Sequence, residues 1–129
     1  MKSNQSCVVR ARPEGYWENT GVTIRPNDQV TIKYVSGSWV SNPHWRMYDA
    51  AGNGNYRAPS SYLKPGAAEG ALIAKVGGDN SSGGSEVFLI GDMAKLPIGL
   101  NGTLWLSVND EPAGFGDNYG EINVKVTLE

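Results

Sequence analysis

Apolar residues recur at every second position along several segments of the chain. Residues 22–25 and 30–35 show this alternation with many β-branched side chains, and Pro26, Asn27 and Asp28 separate the two runs. Proline fixes φ, and Asn or Asp side chains hydrogen-bond to nearby backbone, so the three residues predict a turn. The pattern therefore predicts two half-buried strands joined by that turn. An earlier strand is predicted around residues 8–12, with Cys7 as a small buried hydrophobic residue beside it.

The second half of the chain has the same period. Strands are predicted at residues 71–76, 86–90, 102–108 and 121–128, and the last of these alternates most strictly. No window of 11 residues or more has a helical period, and residues 93–96 are predicted to form at most one helical turn. Trp39 and Trp105 are predicted to lie in the core, whereas the pattern gives no position for Trp17. Seven or eight short strands favour an all-β fold, a β-sandwich or jelly roll, with residues 1–129 as one domain.

Residues 42–70 interrupt the alternation. This segment is rich in Trp, Tyr, Arg and Gly and has no period, and its aromatic content argues against disorder. We predict an ordered surface excursion in which Trp45 and Tyr62 either cap the core or line a binding site. Residues 49–55 resemble a calcium loop weakly, but Ala51 stands where an oxygen donor is required, so a simple turn is predicted.

Charge and cysteine content narrow the functional classes. The net charge of −2 gives no reason to expect nucleic acid or an anionic membrane as a partner. No segment approaches the roughly 20 apolar residues that a membrane-spanning helix needs, so no membrane insertion is expected. No apolar segment follows the first six residues, which predicts a cytoplasmic protein, with release by a non-classical export route as the open alternative. A single cysteine excludes an intrachain disulfide and a thiolate metal cluster.

The loop at residues 109–118 carries the most informative chemistry. It holds Asp110, Glu111, Asp117 and Asn118 together with two glycines, between two confidently predicted strands. Calcium binds six to eight hard oxygen atoms from carboxylates, amides and backbone carbonyls, and glycine lets a loop fold around the ion. The loop lacks the His and Cys ligands typical of zinc and the acidic spacing and flanking helices of an EF-hand. It predicts a Ca²⁺ site, with a solvated acidic hairpin loop as the alternative.

The sequence LSVNDEPAGFGDNYGEINV at residues 106–124 resembles the NDxPGxxGxNxG hallmark of the LecA-like galactophilic bacterial lectins. Residues 37–42, GSWVSN, and residues 70–77, GALIAKVG, are similar to two further elements of that family. The resemblance covers nearly the whole chain apart from the middle excursion. It implies a bacterial protein with a jelly-roll β-sandwich of the galactose-binding-domain-like kind, in which one calcium ion bridges protein and sugar.

Carried over by position, the resemblance implies a set of site residues. The side chains of Asp110, Asp117 and Asn118 and the carbonyls of Asn42 and Gly114 would bind calcium. The implied sugar-binding residues are Asn42, Asp110, Glu111, Gly114, Asp117, Arg57, His44 and Trp45.

The chain departs from the family pattern at several of these positions. Asn42 replaces Tyr, Gly114 replaces Thr, and Asp117 replaces Asn. The His and Gln that hold the galactose hydroxymethyl group have no counterpart, because an ungapped alignment places Arg57 and Ser60 there. The implied sugar preference therefore rests on the calcium loop alone.

Together these observations predict a non-catalytic, calcium-dependent lectin for galactose-containing glycans, and the resemblance implies a homo-oligomer, a tetramer or dimer. A calcium-stabilised interaction module without sugar binding is the alternative. A glycosidase that uses Asp110 and Asp117 as acid and base is disfavoured, because carboxylates that bind calcium do not readily take up protons.

Overall fold

The computed structural model describes residues 3–11, 15–40, 47–80 and 86–129. Within those ranges the chain forms ten strands and one short 3₁₀ helix, and all strand pairs are antiparallel. The strands are β1 (Ser3–Arg10), β2 (Glu18–Ile24), β3 (Val30–Val40), β4 (Asn53–Arg57), β5 (Ala68–Glu69), β6 (Leu72–Val76), β7 (Phe88–Leu89), β8 (Met93–Lys95), β9 (Gly102–Val108) and β10 (Tyr119–Leu128), and the 3₁₀ helix is Pro112–Asp117.

Two four-stranded sheets pack face to face, with the strand orders β1-β10-β3-β8 and β2-β9-β6-β7. Successive side chains of a strand point to opposite faces of its sheet, and this alternation explains which side chains pack between the two sheets. In β10, Ile122 and Val126 are at most 1% exposed, whereas Lys125 on the other face is exposed. In β9, Leu104 and Leu106 point into the same core. The predicted all-β sandwich is confirmed.

Trp39 and Cys7 lie where the sequence predicts. Trp39 is fully buried, and its indole N–H donates to the carbonyl of Gly70 at 2.8 Å. Cys7 lies on β1 and is 9% exposed, and burial raises the pKa of its thiol. The buried thiol therefore acts as a small hydrophobic residue.

Trp105 and residues 93–96 differ from the prediction. Trp105 is half-buried rather than a core residue, because it alternates with Leu104 and Leu106 and so lies on the outer face of its sheet. Residues 93–95 form the edge strand β8, which pairs with β3 through Ile32 and Ala94, instead of a helical turn. Hydrogen bonding to a neighbouring strand decides the conformation of so short a segment.

The middle excursion is ordered over its described part, as predicted, but it is not free of secondary structure. Strands β4 and β5 form a small sheet of their own. Asp49 caps the predicted turn, since its carboxylate accepts from the Ala51 N–H at 2.9 Å and its carbonyl accepts from Gly52 at 3.1 Å. Gly52 has φ +71, and a Cβ there would lie 2.5 Å from the carbonyl oxygen of Glu69. Among the described residues, no helix is both long and apolar enough to span a membrane.

Candidate functional site

The loop at residues 109–118 connects the two sheets at one end of the sandwich. It leaves β9 in one sheet and enters β10 in the other, and its middle forms the 3₁₀ helix. Pro112 is at the start of this helix, where its fixed φ is favourable and its missing N–H costs nothing. The Gly114 N–H donates to the Glu111 carbonyl at 2.9 Å, and the Asn118 N–H donates to Phe115 at 3.1 Å. The 3₁₀ helix differs from the prediction, because the sequence pattern indicates only a loop here.

Hydrophobic and polar contacts fix the loop in place. Phe115 is 5% exposed and packs edge-on against Tyr16, with ring centroids 5.3 Å apart. The fully buried Asn109 side chain accepts from the Lys64 N–H at 2.9 Å and donates to the carbonyls of Lys64 and Ala68 at 2.9 and 3.1 Å. These bonds attach the loop to the middle excursion and hold the loop backbone in place.

Asp110 and Asn118 are buried beside each other with oxygen atoms that lack a partner. Their side chains are 3% and 4% exposed. Asp110 Oδ1 accepts from the Glu111 N–H at 2.8 Å, and Asn118 Nδ2 donates to the Ala11 carbonyl at 2.8 Å. Asp110 Oδ2 and Asn118 Oδ1 are fully buried and have no hydrogen-bond partner within the described ranges. Since nearly all buried acceptors in proteins are paired, these two oxygens indicate a missing donor or cation.

The electrostatics of Asp110 support the same conclusion. The pKa of the Asp110 carboxyl is raised from 3.8 to about 6, chiefly by burial, and the negative charges of Glu69 and Glu111 contribute to this rise. The Glu111 backbone N–H and the Asn118 side chain oppose the shift but do not cancel it. A nearby positive charge is therefore needed to keep this carboxylate ionised at low energetic cost.

The other loop residues predicted for the site differ in their burial and in their contacts. Gly114 lies so close that a Cβ on it would be 3.4 Å from both Asp110 carboxylate oxygens. Glu111 is half-buried and accepts from the Ser61 hydroxyl at 3.0 Å. Asp117 is exposed at the end of the 3₁₀ helix. The loop thus has two buried side-chain oxygens without a partner and an exposed carboxylate, that of Asp117.

The residues predicted from the middle excursion are placed only in part. Arg57 is exposed on β4 and donates to the Gly66 carbonyl at 3.0 Å, so its guanidinium is attached to the turn before β5. Asn42, His44 and Trp45 lie outside the described residues.

The donor atoms of the loop fit a hard cation. In the described part of the chain, no group of three or more His, Cys, Asp or Glu side chains is placed to hold a metal, so a cation at this loop would depend on amide and carbonyl oxygens beside Asp110. Carboxylate, amide and carbonyl oxygens are the ligands that calcium prefers, and they include the two unpartnered atoms.

Comparison with known proteins places the chain in a family. The family model described as PA-IL-like protein matches residues 6–129. The chain belongs to the PA-IL-like protein family. Lectin A of Photorhabdus laumondii subsp. laumondii is 31% identical over 117 residues, which cover 87% of this chain and 82% of that protein. The solved structure of the EclA N-terminal domain, described as a PllA-like lectin, matches with a TM-score of 0.68 at 25% identity and covers 96% of this chain and 95% of that one. The predicted membership of the LecA-like lectins is confirmed.

This PA-IL-like chain also has a buried acidic residue that sequence reasoning missed. Glu69 is 3% exposed and accepts from the Tyr62 hydroxyl at 2.9 Å. Burial raises the pKa of Tyr62, and the charges of Glu69 and Asp110 add to this effect, so the three groups are neighbours. The signal in the sequence is a carboxylate inside the otherwise apolar segment at residues 67–74. Tyr62 therefore lies beside the site, as the hypothesis of a binding-site wall requires.

Proposed function

We propose that the chain is a carbohydrate-binding lectin whose sugar site is built around a calcium ion in the loop at residues 109–118. Membership of a lectin family supports carbohydrate binding, and two of the relatives are lectins by name. The observation that carries the calcium proposal is the pair of buried, unpartnered oxygens, Asp110 Oδ2 and Asn118 Oδ1, neither of which has a donor in the described residues.

The proposed calcium ligands combine these two side chains with the rest of the loop. Asp117 supplies a second carboxylate and Gly114 a backbone carbonyl, and by resemblance the carbonyl of Asn42 completes the protein ligands. The bound ion supplies positive charge that balances Asp110 and open positions for two sugar hydroxyls. The hydrogen bonds of Asn109 position the loop before an ion binds, so the loop itself requires little ordering on binding.

The side chains around the loop suit a polar, hydroxyl-rich ligand. Glu111 presents a carboxylate acceptor whose position is fixed by Ser61. Arg57, His44 and Trp45 are the proposed contacts to the rest of the sugar. Galactose-containing glycans are the proposed ligands, and a homo-oligomer, a dimer or tetramer, would add avidity to a site that binds one sugar weakly.

A glycan array probed with and without calcium tests this function. We expect binding to galactosides in calcium and its loss in EGTA, and calorimetry should then give a calcium-dependent affinity for methyl galactoside. Unchanged sugar binding in EGTA would contradict the calcium-bridged site.

One observation favours a second candidate, a calcium-stabilised interaction module without sugar binding. The Arg57 guanidinium already donates to Gly66, and no His or Gln stands where the family holds the hydroxymethyl group. Calcium binding by calorimetry together with a blank array would favour this candidate over the lectin.

A further inference from the structure

Three lysines lie close together on the outer face of the β1-β10-β3-β8 sheet. Lys125 on β10 is directly opposite Lys33 on β3, and Lys95 on β8 is opposite Thr31, two residues from Lys33. Opposite residues on antiparallel strands have Cβ atoms about 5 Å apart, and diagonal residues about 7–8 Å. All three side chains are exposed and alternate with residues that pack in the core. We call Lys33, Lys95 and Lys125 the lysine face.

No carboxylate in the described ranges compensates the positive charge of the lysine face. The nearest outward neighbours of Lys33 and Lys125 in the sheet are uncharged, and they are Ser6, Asn123, Thr127, Thr31, Val35 and Met93. None of the three lysines forms a hydrogen bond or an ion pair with another described residue, and Asp92, which precedes β8, forms none with them. The three ammonium groups are therefore available to an anion from outside the chain.

The structure offers no stabilising role for Lys33 and Lys125. Like charges directly opposite each other on neighbouring strands are destabilising. Lysines on an edge strand often prevent it from pairing with another chain, and this explains Lys95 on the edge strand β8. Strands β3 and β10 are internal, so edge protection does not explain Lys33 and Lys125. An unfavourable, exposed pair of like charges on internal strands indicates an anionic partner.

The polar groups around the lysine face match a sugar chain. The hydroxyl groups of Ser6 and Thr31 flank the lysines, and neither has a partner among the described residues. The Asn123 amide nitrogen donates to the Ser36 hydroxyl at 3.1 Å, which leaves its oxygen as an acceptor. Hydroxyl and amide groups both donate to and accept from sugar hydroxyls, while each ammonium pairs with an anionic group as a point charge.

Nucleic acids and membranes match the lysine face less well. Proteins bind single-stranded nucleic acid with aromatic rings on which the bases stack, and the nearest outward neighbours of Lys33 and Lys125 include no aromatic residue. Tyr34, the residue after Lys33, packs against the core instead. Lipid-binding basic clusters typically contain about four to eight Lys or Arg residues, whereas this face has three.

We propose that the lysine face is a second, calcium-independent binding surface, for an acidic polysaccharide whose sugar chain carries sulfate or carboxylate groups. The three ammonium groups pair with these anionic groups, and Ser6 and Thr31 contact the sugar hydroxyls. Lys125 is seven residues after Asn118 on an extended strand, so about 23 Å separates the lysine face from the calcium loop. The proposal does not depend on the function of that loop.

Binding of the whole chain to dextran sulfate, polygalacturonate and uncharged dextran, measured in EGTA at low salt, tests the proposal. We expect saturable binding to at least one acidic polymer and none to dextran, and the responsive polymer identifies sulfate or carboxylate as the anion. The affinity should fall with salt with a log–log slope of about −2 to −3, because three ammonium groups displace counterions. If neither acidic polymer binds, the proposal is wrong. Equally tight binding of single-stranded DNA or of phosphatidylserine vesicles would overturn the assignment to a polysaccharide.

Two variants with the same change in net charge assign the binding to the lysine face. Lys33→Gln should weaken the responsive polymer about fivefold. Arg25→Gln removes a positive charge from an exposed residue just after β2, in the other sheet, and should leave the affinity within about twofold. Equal weakening by both variants would mean that net charge, and not the lysine face, determines binding.

Thermal unfolding separates a loss of binding from a loss of structure. Because Lys33→Gln removes one of two opposed like charges, its Tm should rise by about 1–3 °C while its polymer affinity falls. Lys125→Gln removes the other charge of the pair and should behave in the same way. A lower Tm in both variants would show that the lysines stabilise the sheet, and the case for an external anion would then fail.

Discussion

The loop at residues 109–118 and the tryptophan pair Trp17 and Trp105 differ in the kind of atom that each leaves unpaired. Within the described residues, the loop buries two oxygen acceptors, Asp110 Oδ2 and Asn118 Oδ1, and the tryptophan pair buries two indole donors. Unpaired buried acceptors around a carboxylate indicate a cation, whereas an unpaired indole nitrogen enclosed by protein costs free energy and offers no donor to a ligand. An unpaired buried atom therefore indicates a ligand only where its surroundings, such as the carboxylate of Asp110, favour a particular partner.

The largest effect expected from this comparison is that of Asp110→Ala. The variant removes the one buried carboxylate of the loop, so calcium affinity measured by calorimetry should fall at least about 100-fold and calcium-dependent glycan binding should be lost with it. Asp49→Ala is the matched control, since Asp49 lies in a turn with a weak likeness to a calcium loop and caps only backbone N–H groups. If the Asp110 variant binds calcium with unchanged affinity, the loop is not the metal site.

The stabilisation of the folded chain by bound calcium should depend strongly on pH. The pKa of Asp110 is raised by burial to about 6, so the folded chain without metal binds more protons between about pH 4 and 6 than the unfolded chain does. This group therefore makes the metal-free protein less stable as pH rises through that window, by up to about 3 kcal/mol, and calcium removes the penalty. In thermal unfolding, the gain from calcium should be several degrees larger at pH 7.5 than at pH 5. An equal gain at both pH values would show that Asp110 does not face the ion.

A smaller effect is expected at Gly114. A Cβ there would meet both Asp110 oxygens at 3.4 Å and the Glu111 Cγ at 3.3 Å, so Gly114→Ala should displace the carboxylate slightly and lower calcium affinity about threefold to tenfold. Gly116→Ala in the same 3₁₀ helix is the matched control, because nothing lies within 4 Å of its Cβ position. Equal calcium affinities for the two variants would mean that the Asp110 side chain does not need its present position.

The smallest effect is expected at Arg57. Its guanidinium donates to Gly66 and ligates no metal, so Arg57→Ala should leave calcium affinity unchanged. On a calcium-loaded glycan array, the relative binding of two galactosides should shift by about threefold if Arg57 contacts the sugar. Arg25→Ala, an exposed arginine just after β2, provides the comparison. A loss of calcium binding in the Arg57 variant would show a structural role for this residue instead.

Much of the sandwich could be predicted because one face of each long strand is buried. The alternation of apolar and polar residues at 121–128 predicts both strand β10 and which of its side chains point into the core. The same rule, applied to residues 103–108, would have placed Trp105 outside with Thr103 and Ser107, although a tryptophan between leucines suggests the core. Strand β8 could not be predicted, because only its pairing with β3 makes those three residues extended.

The sequence predicts which chemical groups the candidate site contains, but not the long-range contacts that bring them together. The acidic, glycine-rich composition of residues 109–118 indicates calcium, and Pro112 is a signal for the 3₁₀ helix that can be recognised in the sequence. Nothing local predicts that Asn109 binds Lys64 and Ala68 or that Glu69 lies near Asp110, because these contacts join segments about 40 residues apart.

The amide of Asn118 has a consequence for communication along the chain. Its nitrogen donates to the carbonyl of Ala11, just past the end of β1, while its oxygen lies in the candidate calcium site. A cation on the oxygen would draw electron density through the amide and make the N–H a stronger donor. Occupancy of the site would thereby tighten the junction between the loop and the first strand, so one planar group would relay the arrival of an ion to the edge strand beside β10.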